Sequence, residues 1–425
     1  MSISTAVIYV SDGEYLADQS VTTAVSGGKV SNTLATGVTI SSDEESLNGL
    51  YVTGEESSYT MSNSEITLSG NGSNDFDGTG AGAMAYDGAT LVLKNVDITT
   101  TGCIRSATCV TDYSTLKVYD STLKTNGGTL PDDYDESKIG PGMMEPPSGL
   151  GISGTCRTCL TMGNSSSYYY NSTIIAEGWG ALSTDSAEGY VYMEANDCKV
   201  QTVDDGYGAY ADNGCHDVFN RCQIDSAAMA IIMAGVSEAI YTDTTATCGT
   251  YFAMIHNVMG STSEKVSLTV TGGSIATDKA SFYVKSANAD ITVNGTAITS
   301  DVLLQTIINS DANRTVVPAG ETVYGINAVF ENTTLAGSIL HEDTERTTSV
   351  SLVATTLDGE IQDAIISLDD DSKWTATADS TVTLGSCSVD NIDAAEGITI
   401  TATAGTYCTL SGTYTLSSGG ILVVG

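Results

Sequence analysis

Residues 208–213 read GAYADN, and the same short pattern recurs as GAMAYD (82–87), TCVTDY (108–113), TCLTMG (158–163), GALSTD (180–185), MAIIMA (229–234), FAMIHN (252–257) and SFYVKS (281–286). Aligned on the second residue, successive copies lie roughly 21 to 29 residues apart, with one interval of about double length. A period of this size marks a solenoid, in which each repeat buries its apolar face against the next. Short runs that alternate apolar and polar residues, Gly-, Asn- and Asp-rich turns and only five prolines are the chemistry of strands and turns. The pattern predicts an all-β chain, a single β-helix over residues 1–425. Residues 1–80 supply opening rungs and a polar cap, and residues 287–425 supply less regular C-terminal rungs.

After each copy comes a second run that contains an Asn or Asp followed by small or β-branched residues: LVLKNVDIT, LKVYDSTLK, YYYNSTIIA, IYTDTTAT. Stacked turns of this kind are expected to form a hydrogen-bonded ladder between rungs. The NST and DST turns, the GATLVLKNVDIT unit and the rung period resemble the right-handed parallel β-helix proteins of the pectate-lyase-like superfamily. The resemblance covers most of the chain and implies a right-handed parallel β-helix. That superfamily holds pectin and alginate lyases, galacturonan hydrolases, epimerases and surface adhesins, so the architecture leaves function open. Its enzyme signatures, Gly-His-Gly, Arg-Ile-Lys and Asp-Pro-His, do not occur here, and Asp204–Asp205 stands without that company. No catalytic residue is carried over.

The formal net charge is −37, from 52 acidic and 15 basic residues, a balance that disfavours nucleic acid and anionic membranes as partners. Nothing reaches the length of an apolar membrane span, and the N-terminus lacks the basic and apolar regions of an export signal. The expectation is a cytoplasmic protein; an exported one whose signal has been removed would read the same way. Cys109 and Cys159 stand where other copies have Ala, which suggests small buried thiols rather than a disulfide framework. The CRTC run (156–159) has metal-like spacing but no second pair to complete a site. The Asp-rich turn with Asn74, Asp75 and Asp77 only partly matches a calcium loop and lacks its closing Glu. Neither a metal nor an organic cofactor is expected.

Side chains alternate across a strand, so each copy divides into two columns. The second and fourth positions are mostly Ala, Cys, Thr and Ser and suit the interior. The third and fifth then face outward: Met84, Val110, Leu160, Leu182, Tyr210, Ile231, Met254 and Tyr283, with Tyr86, Asp112, Met162, Thr184, Asp212, Met233, His256 and Lys285. An apolar, aromatic outer strip commonly marks a binding groove or an interface; with the faces reversed it would be core. Arg157, Trp179, Tyr207 and Tyr251 precede the strands and would form a rim. The long gap, residues 126–151, holds four of the five prolines together with Met143 and Met144; it reads as a lid, or as an inert insertion.

Within the strip, His256 and Asp212 are candidate acid and base, Tyr210 a further proton donor, and Arg157 an anchor for an oxyanion. Met84, Tyr86, Asp112, Met143, Met144, Met162, Trp179, Tyr207, Met233, Tyr251 and Met254 would contact substrate. The leading expectation is a cofactor-independent isomerase, lyase or hydrolase acting on a neutral ring-containing small molecule. A glycan-active enzyme and a non-catalytic adhesin are the alternatives, and oligomeric state is left open.

Overall fold

The structure, a computed structural model, describes residues 5–185, 189–256, 264–310 and 323–425; Asn257 of the FAMIHN copy lies outside them. Among these residues the helical segments are three-residue 3-10 turns, and the rest of the regular structure is strand. No helix is long and apolar enough to cross a membrane. The fold is an all-β parallel solenoid, and the chain divides into two compact units, Met1–Ile231 and Ile232–Gly425.

In the first unit each turn of the chain lays down three short strands. Arg157–Met162, Ser166–Tyr170 and Thr173–Ala176 pair in parallel with Gly180–Asp185, Val191–Asn196 and Lys199–Thr202 of the next turn. The corner between the second and third strands needs a left-handed residue, which Asn and Asp tolerate best. Asn95, Asp120, Asn171 and Asp197 take φ of 53°, 50°, 48° and 54° there. The expected ladder is present: Asn95 Nδ2 donates to Asn63 Oδ1 at 2.9 Å, and Asn171 Nδ2 donates to Asp120 Oδ1 at 2.6 Å. One residue on, the Ser121 N–H donates to Ser172 Oγ, so a second, inner ladder runs beside the first. Val25–Val30 pairs antiparallel with Leu34–Ser42, which in turn stacks in parallel with Ser58–Ser69.

The second unit repeats the plan. Tyr251–His256, Ala280–Lys285 and Val302–Ile307 form one parallel stack, and Glu238–Thr242, Val266–Thr271, Ala289–Asn294 and Ile326–Glu331 form another. Its last strands are antiparallel, Gly412–Thr415 against Ile421–Val424. This pairing occupies an edge that would otherwise stay open to another chain.

The observed register corrects the column assignment at two rungs. Met84 pairs with Cys109, Cys109 with Leu160, Leu160 with Ser183 and Ser183 with Tyr210. The copies at 108 and 180 are therefore offset by one residue from the sequence alignment, and such an offset exchanges the two faces. Val110, Leu182 and Thr184 join the interior column, while Cys109, Ser183 and Asp185 join the outer one. Asp112 is also displaced: its strand is Thr108–Val110, and Asp112 sits in the following turn with φ of 56°. The stack also starts two rungs earlier than the alignment indicated, because Ala6–Ser11 and Asn48–Thr53 precede Ala83–Tyr86 in the same ladder.

Candidate functional site

The outer strip is covered rather than open. Met84, Met162, Trp179 and Tyr207 in the first unit and Met233 and Met254 in the second are all buried. Over Met84 the cover is the segment at residues 71–80. Gly78 lies against the Met84 thioether and the Cys109 thiol, where a Cβ would meet sulfur at 2.5 Å and 2.9 Å. Phe76 packs on the same cluster. The expected lid, residues 126–151, is fastened at its base by Gly127 N–H to Glu177 Oε2 (2.7 Å) and Gly128 N–H to Thr155 Oγ1 (2.8 Å). Its tip folds down, with Met143 buried and Met144 half-buried, and Gly142 lies beside the Ser73 carbonyl. The insertion thus rests on the cover.

Beneath the cover lies an ion cluster. Arg157 is 2% exposed; its Nε and Nη2 donate to Asp75 Oδ2 at 3.0 and 2.8 Å, and its Nη1 donates to Asp185 Oδ2 at 3.0 Å. The guanidinium carbon is 4.6 Å from the Phe76 ring centroid and 5.1 Å from that of Trp179. Burial alone would favour the neutral guanidine, but Asp75, Tyr207 and Asp185 more than offset it and hold Arg157 protonated. Its Nε, Nη1 and Nη2 each donate to a carboxylate within the fold.

Asp75 points at Arg157, and Asp77 accepts from both the backbone N–H and the hydroxyl of Thr79. No group of three or more metal-ligating side chains occurs among the described residues. Replacing Arg157 with Met should leave Asp75 buried without its counter-ion and cost about 3 kcal/mol of stability. Urea denaturation checks this, and Arg157→Met combined with Asp75→Asn should recover much of the loss. Equal stabilities for the single and double variants would remove the ion cluster from the account.

Above Arg157 the face reaches solvent. Asp185 has a side chain 20% exposed, and Asp212, next in register, is half-buried. The Asp185 carboxyl is close enough for its charge to act on Asp212. Burial, then the negative charge of Asp185, push Asp212 up to about 7, against the opposing effect of the Asn213 N–H. Tyr210 lies beside the pair, and burial together with Asp212 and Asp185 holds its phenol well above the ordinary value, protonated. The Tyr210 ring is 5.6 Å from that of Tyr207, whose hydroxyl is 2.9 Å from Ser183 Oγ. Gly180 is needed here, since a Cβ would come within 2.0 Å of the Tyr207 ring.

Arg157, Trp179, Tyr207, Tyr210 and Asp212 lie together on this face, with Asp75, Phe76 and Asp185 among them. Asp185 became visible only with the register. Tyr86 stands farther along the face in a tyrosine stack: Tyr9 and Tyr51 are 5.4 Å apart, Tyr51 and Tyr86 6.5 Å. Burial raises the Tyr86 pKa first, and Asp112 beside it adds to the shift. His256, Met233, Met254 and Tyr251 belong to the second unit. There His256 is buried and pairs across the ladder with Lys285. It borders a cavity of about 10 Å³ lined by Gly235, Glu264, Val266, Ala287 and Asn288, space for one water. Tyr251 stacks on Tyr283 at 4.4 Å.

No known protein family matches the chain, and no curated protein matches it in sequence.

Proposed function

We propose that the Asp185–Asp212 pair is the acid–base centre of a cofactor-independent enzyme acting on a neutral, ring-containing small molecule such as a phenolic or a glycoside. The single observation that carries this reading is the placement of the Asp185 and Asp212 carboxyls side by side on a partly exposed face. Like charges at contact cannot both ionise, so such a pair holds an acid and a base side by side near neutral pH. Asp212 would take or give the proton, Asp185 would hold its counterpart, and Tyr210 would donate a hydrogen bond to the substrate. Arg157 would fix Asp185 from below. Hydrolysis, elimination and isomerisation all use such a pair. On this reading the chain is a right-handed member of the pectate-lyase-like architecture with its chemistry on an outer sheet face, and it works in the cytoplasm.

Neutrality of the substrate follows from charge. The reachable groups are two carboxyls and phenols, and the one cation of the cluster is buried and already paired. A panel of flavonoids, simple phenolics, phenyl glycosides and neutral oligosaccharides, screened by thermal shift and then for turnover, tests the reading. A ligand that stabilises the wild type should bind about tenfold more weakly to Tyr210→Ala, the loss of about 1.4 kcal/mol that one stacked ring commonly contributes. Ligands bound equally well by both proteins would move the site elsewhere.

A second reading, a glycan-active enzyme or glycan-binding module, is favoured by the second sheet of the same unit. Tyr119 and Tyr170 stack there at 4.9 Å, and Tyr168 and Tyr192 lie 5.7 Å apart. Tyr190, 53% exposed, lies 6.4 Å from Tyr192 and 4.6 Å from His216. Flat rows of rings suit the apolar faces of sugars, so oligosaccharides retained by this row but insensitive to Tyr210→Ala would support that reading. An exported adhesin, the third possibility, would bind no small molecule in the panel.

A further inference from the structure

All ten cysteines are free thiols, eight of them buried; Cys387 and Cys408 alone are partly exposed. These two lie on successive turns near the C-terminal end of the second unit. Strand Ser380–Leu384 pairs in parallel with Thr399–Ala404, with Leu384 opposite Ala404. Immediately beyond that pair the Gly405 N–H donates to the Leu384 carbonyl at 2.8 Å, and the Cys408 N–H closes a turn onto the Gly405 carbonyl at 3.1 Å. The two chain segments therefore leave the sheet together, which brings the two thiols close enough for Cys408 to act on Cys387 electrostatically.

We propose that Cys387 and Cys408 form a disulfide when the protein meets an oxidising thiol pool, and that this bond staples the last turns of the solenoid. Three observations converge on it. The two thiols lie near each other on adjacent turns, they are the partly exposed pair, and Cys408 stands just before the antiparallel pair Gly412–Thr415 and Ile421–Val424. A cross-link between adjacent turns removes conformations from the unfolded chain.

The chemistry is a two-step exchange with a small-molecule disulfide such as oxidised glutathione. One cysteine thiolate attacks the glutathione disulfide and forms a mixed disulfide, releasing one glutathione thiolate. The second cysteine thiolate then attacks the protein sulfur of the mixed disulfide and releases the other. Two protein thiols lose two protons and two electrons, and one oxidised glutathione becomes two reduced ones. Burial first, and the neighbouring Cys408 second, push the Cys387 thiol up to about 12. The exchange will therefore be slow at neutral pH and quicken as pH rises.

Cys198 and Cys222 are the internal control. They also lie near each other, on adjacent turns of the first unit, but both are buried, and their thiols donate to the Asn196 and Ala195 carbonyls at 3.3 Å. Oxidant does not reach them in the folded protein.

The test uses the full chain, folded, incubated with oxidised glutathione, quenched in acid, denatured, alkylated and weighed intact. The wild type should take up two fewer alkyl groups than its ten cysteines allow, with no glutathione attached. Cys387→Ser and Cys408→Ser should each retain glutathione on the remaining partner. The double variant should alkylate at every remaining cysteine. The oxidised wild type should also melt at a higher temperature than the reduced protein, with the double variant insensitive to oxidant. Full alkylation of the oxidised wild type, or an internal disulfide that persists in the double variant, would overturn the proposal.

Discussion

Between about pH 4 and pH 8, the wild-type chain should lose folding stability relative to Asp217→Asn by about 1.4 kcal/mol for each pH unit. Asp217 lies on strand Cys215–Asn220, faces the interior of the first unit and is buried. Burial pushes its carboxyl up to about 8, from an ordinary 3.8, against the opposing hydrogen bond of Thr184. Thr184 Oγ1 donates toward Asp217 Oδ1 at 2.8 Å and also lies 2.9 Å from the Tyr210 carbonyl. A hydroxyl has one proton, so the two acceptors share it, and its opposing effect on Asp217 is outweighed by burial.

The direction of the pH dependence follows. Below about pH 4 both folded and unfolded chains carry the proton, and the contribution is fully present. From there to about pH 8 the folded chain holds a proton that the unfolded chain has released, so rising pH favours unfolding. Above pH 8 both are ionised and the difference is flat. In Asp217→Asn the new amide donates to the same hydroxyl without titrating. Urea midpoints of the two proteins taken across this range should diverge, with the variant the more stable at pH 8; parallel curves would mean that Asp217 is ionised in the fold.

The solenoid was legible in the sequence because its period is carried by local chemistry. Small residues at interior positions and a left-handed corner filled mostly by Asn or Asp, with Arg221, Gly272, Gly295 and Ala354 as substitutes, recur along the chain. The face assignment was less secure. TCVTDY and GALSTD look aligned with GAYADN by their second residue, yet hydrogen bonding pairs Cys109 with Met84 and Ser183 with Tyr210. A single residue of difference in the preceding turn decides this, and composition does not register it. That offset hid Asp185, the partner that gives Asp212 its shifted acidity.

The cover was hidden for a different reason. Residues 71–80 read as a polar, Asp-rich turn, and the sequence offers no sign that Asp75 reaches a cation 82 positions later. Long-range ion pairing of this kind is a property of the folded ladder. Ala6–Ser11 and Asn48–Thr53 were missed as members of the repeated stack because AVIYVS and NGLYVT lack the motif's small second and fourth residues on a shared spacing.

Replacing Asp212 with Asn should lower turnover on the proposed substrate by a factor of about 10² to 10⁴, the usual contribution of a positioned acid or base. Asn keeps the size of the side chain, but it neither takes up nor releases the proton. The hydrogen bond from Arg157 to Asp185 does not involve Asp212, so the fold should be retained, with an unchanged circular dichroism spectrum and a melting temperature within a few degrees. The wild-type rate should change with a midpoint near pH 7, where Asp212 titrates. In Asp212→Asn the limb near pH 7 should vanish, because the amide does not titrate. Asp185→Asn should be worse on both counts, losing the proton and one of the carboxylates that hold Arg157. A variant at Asp212 that turns over at the wild-type rate, with the same pH profile, would reduce the carboxyl pair to a structural contact.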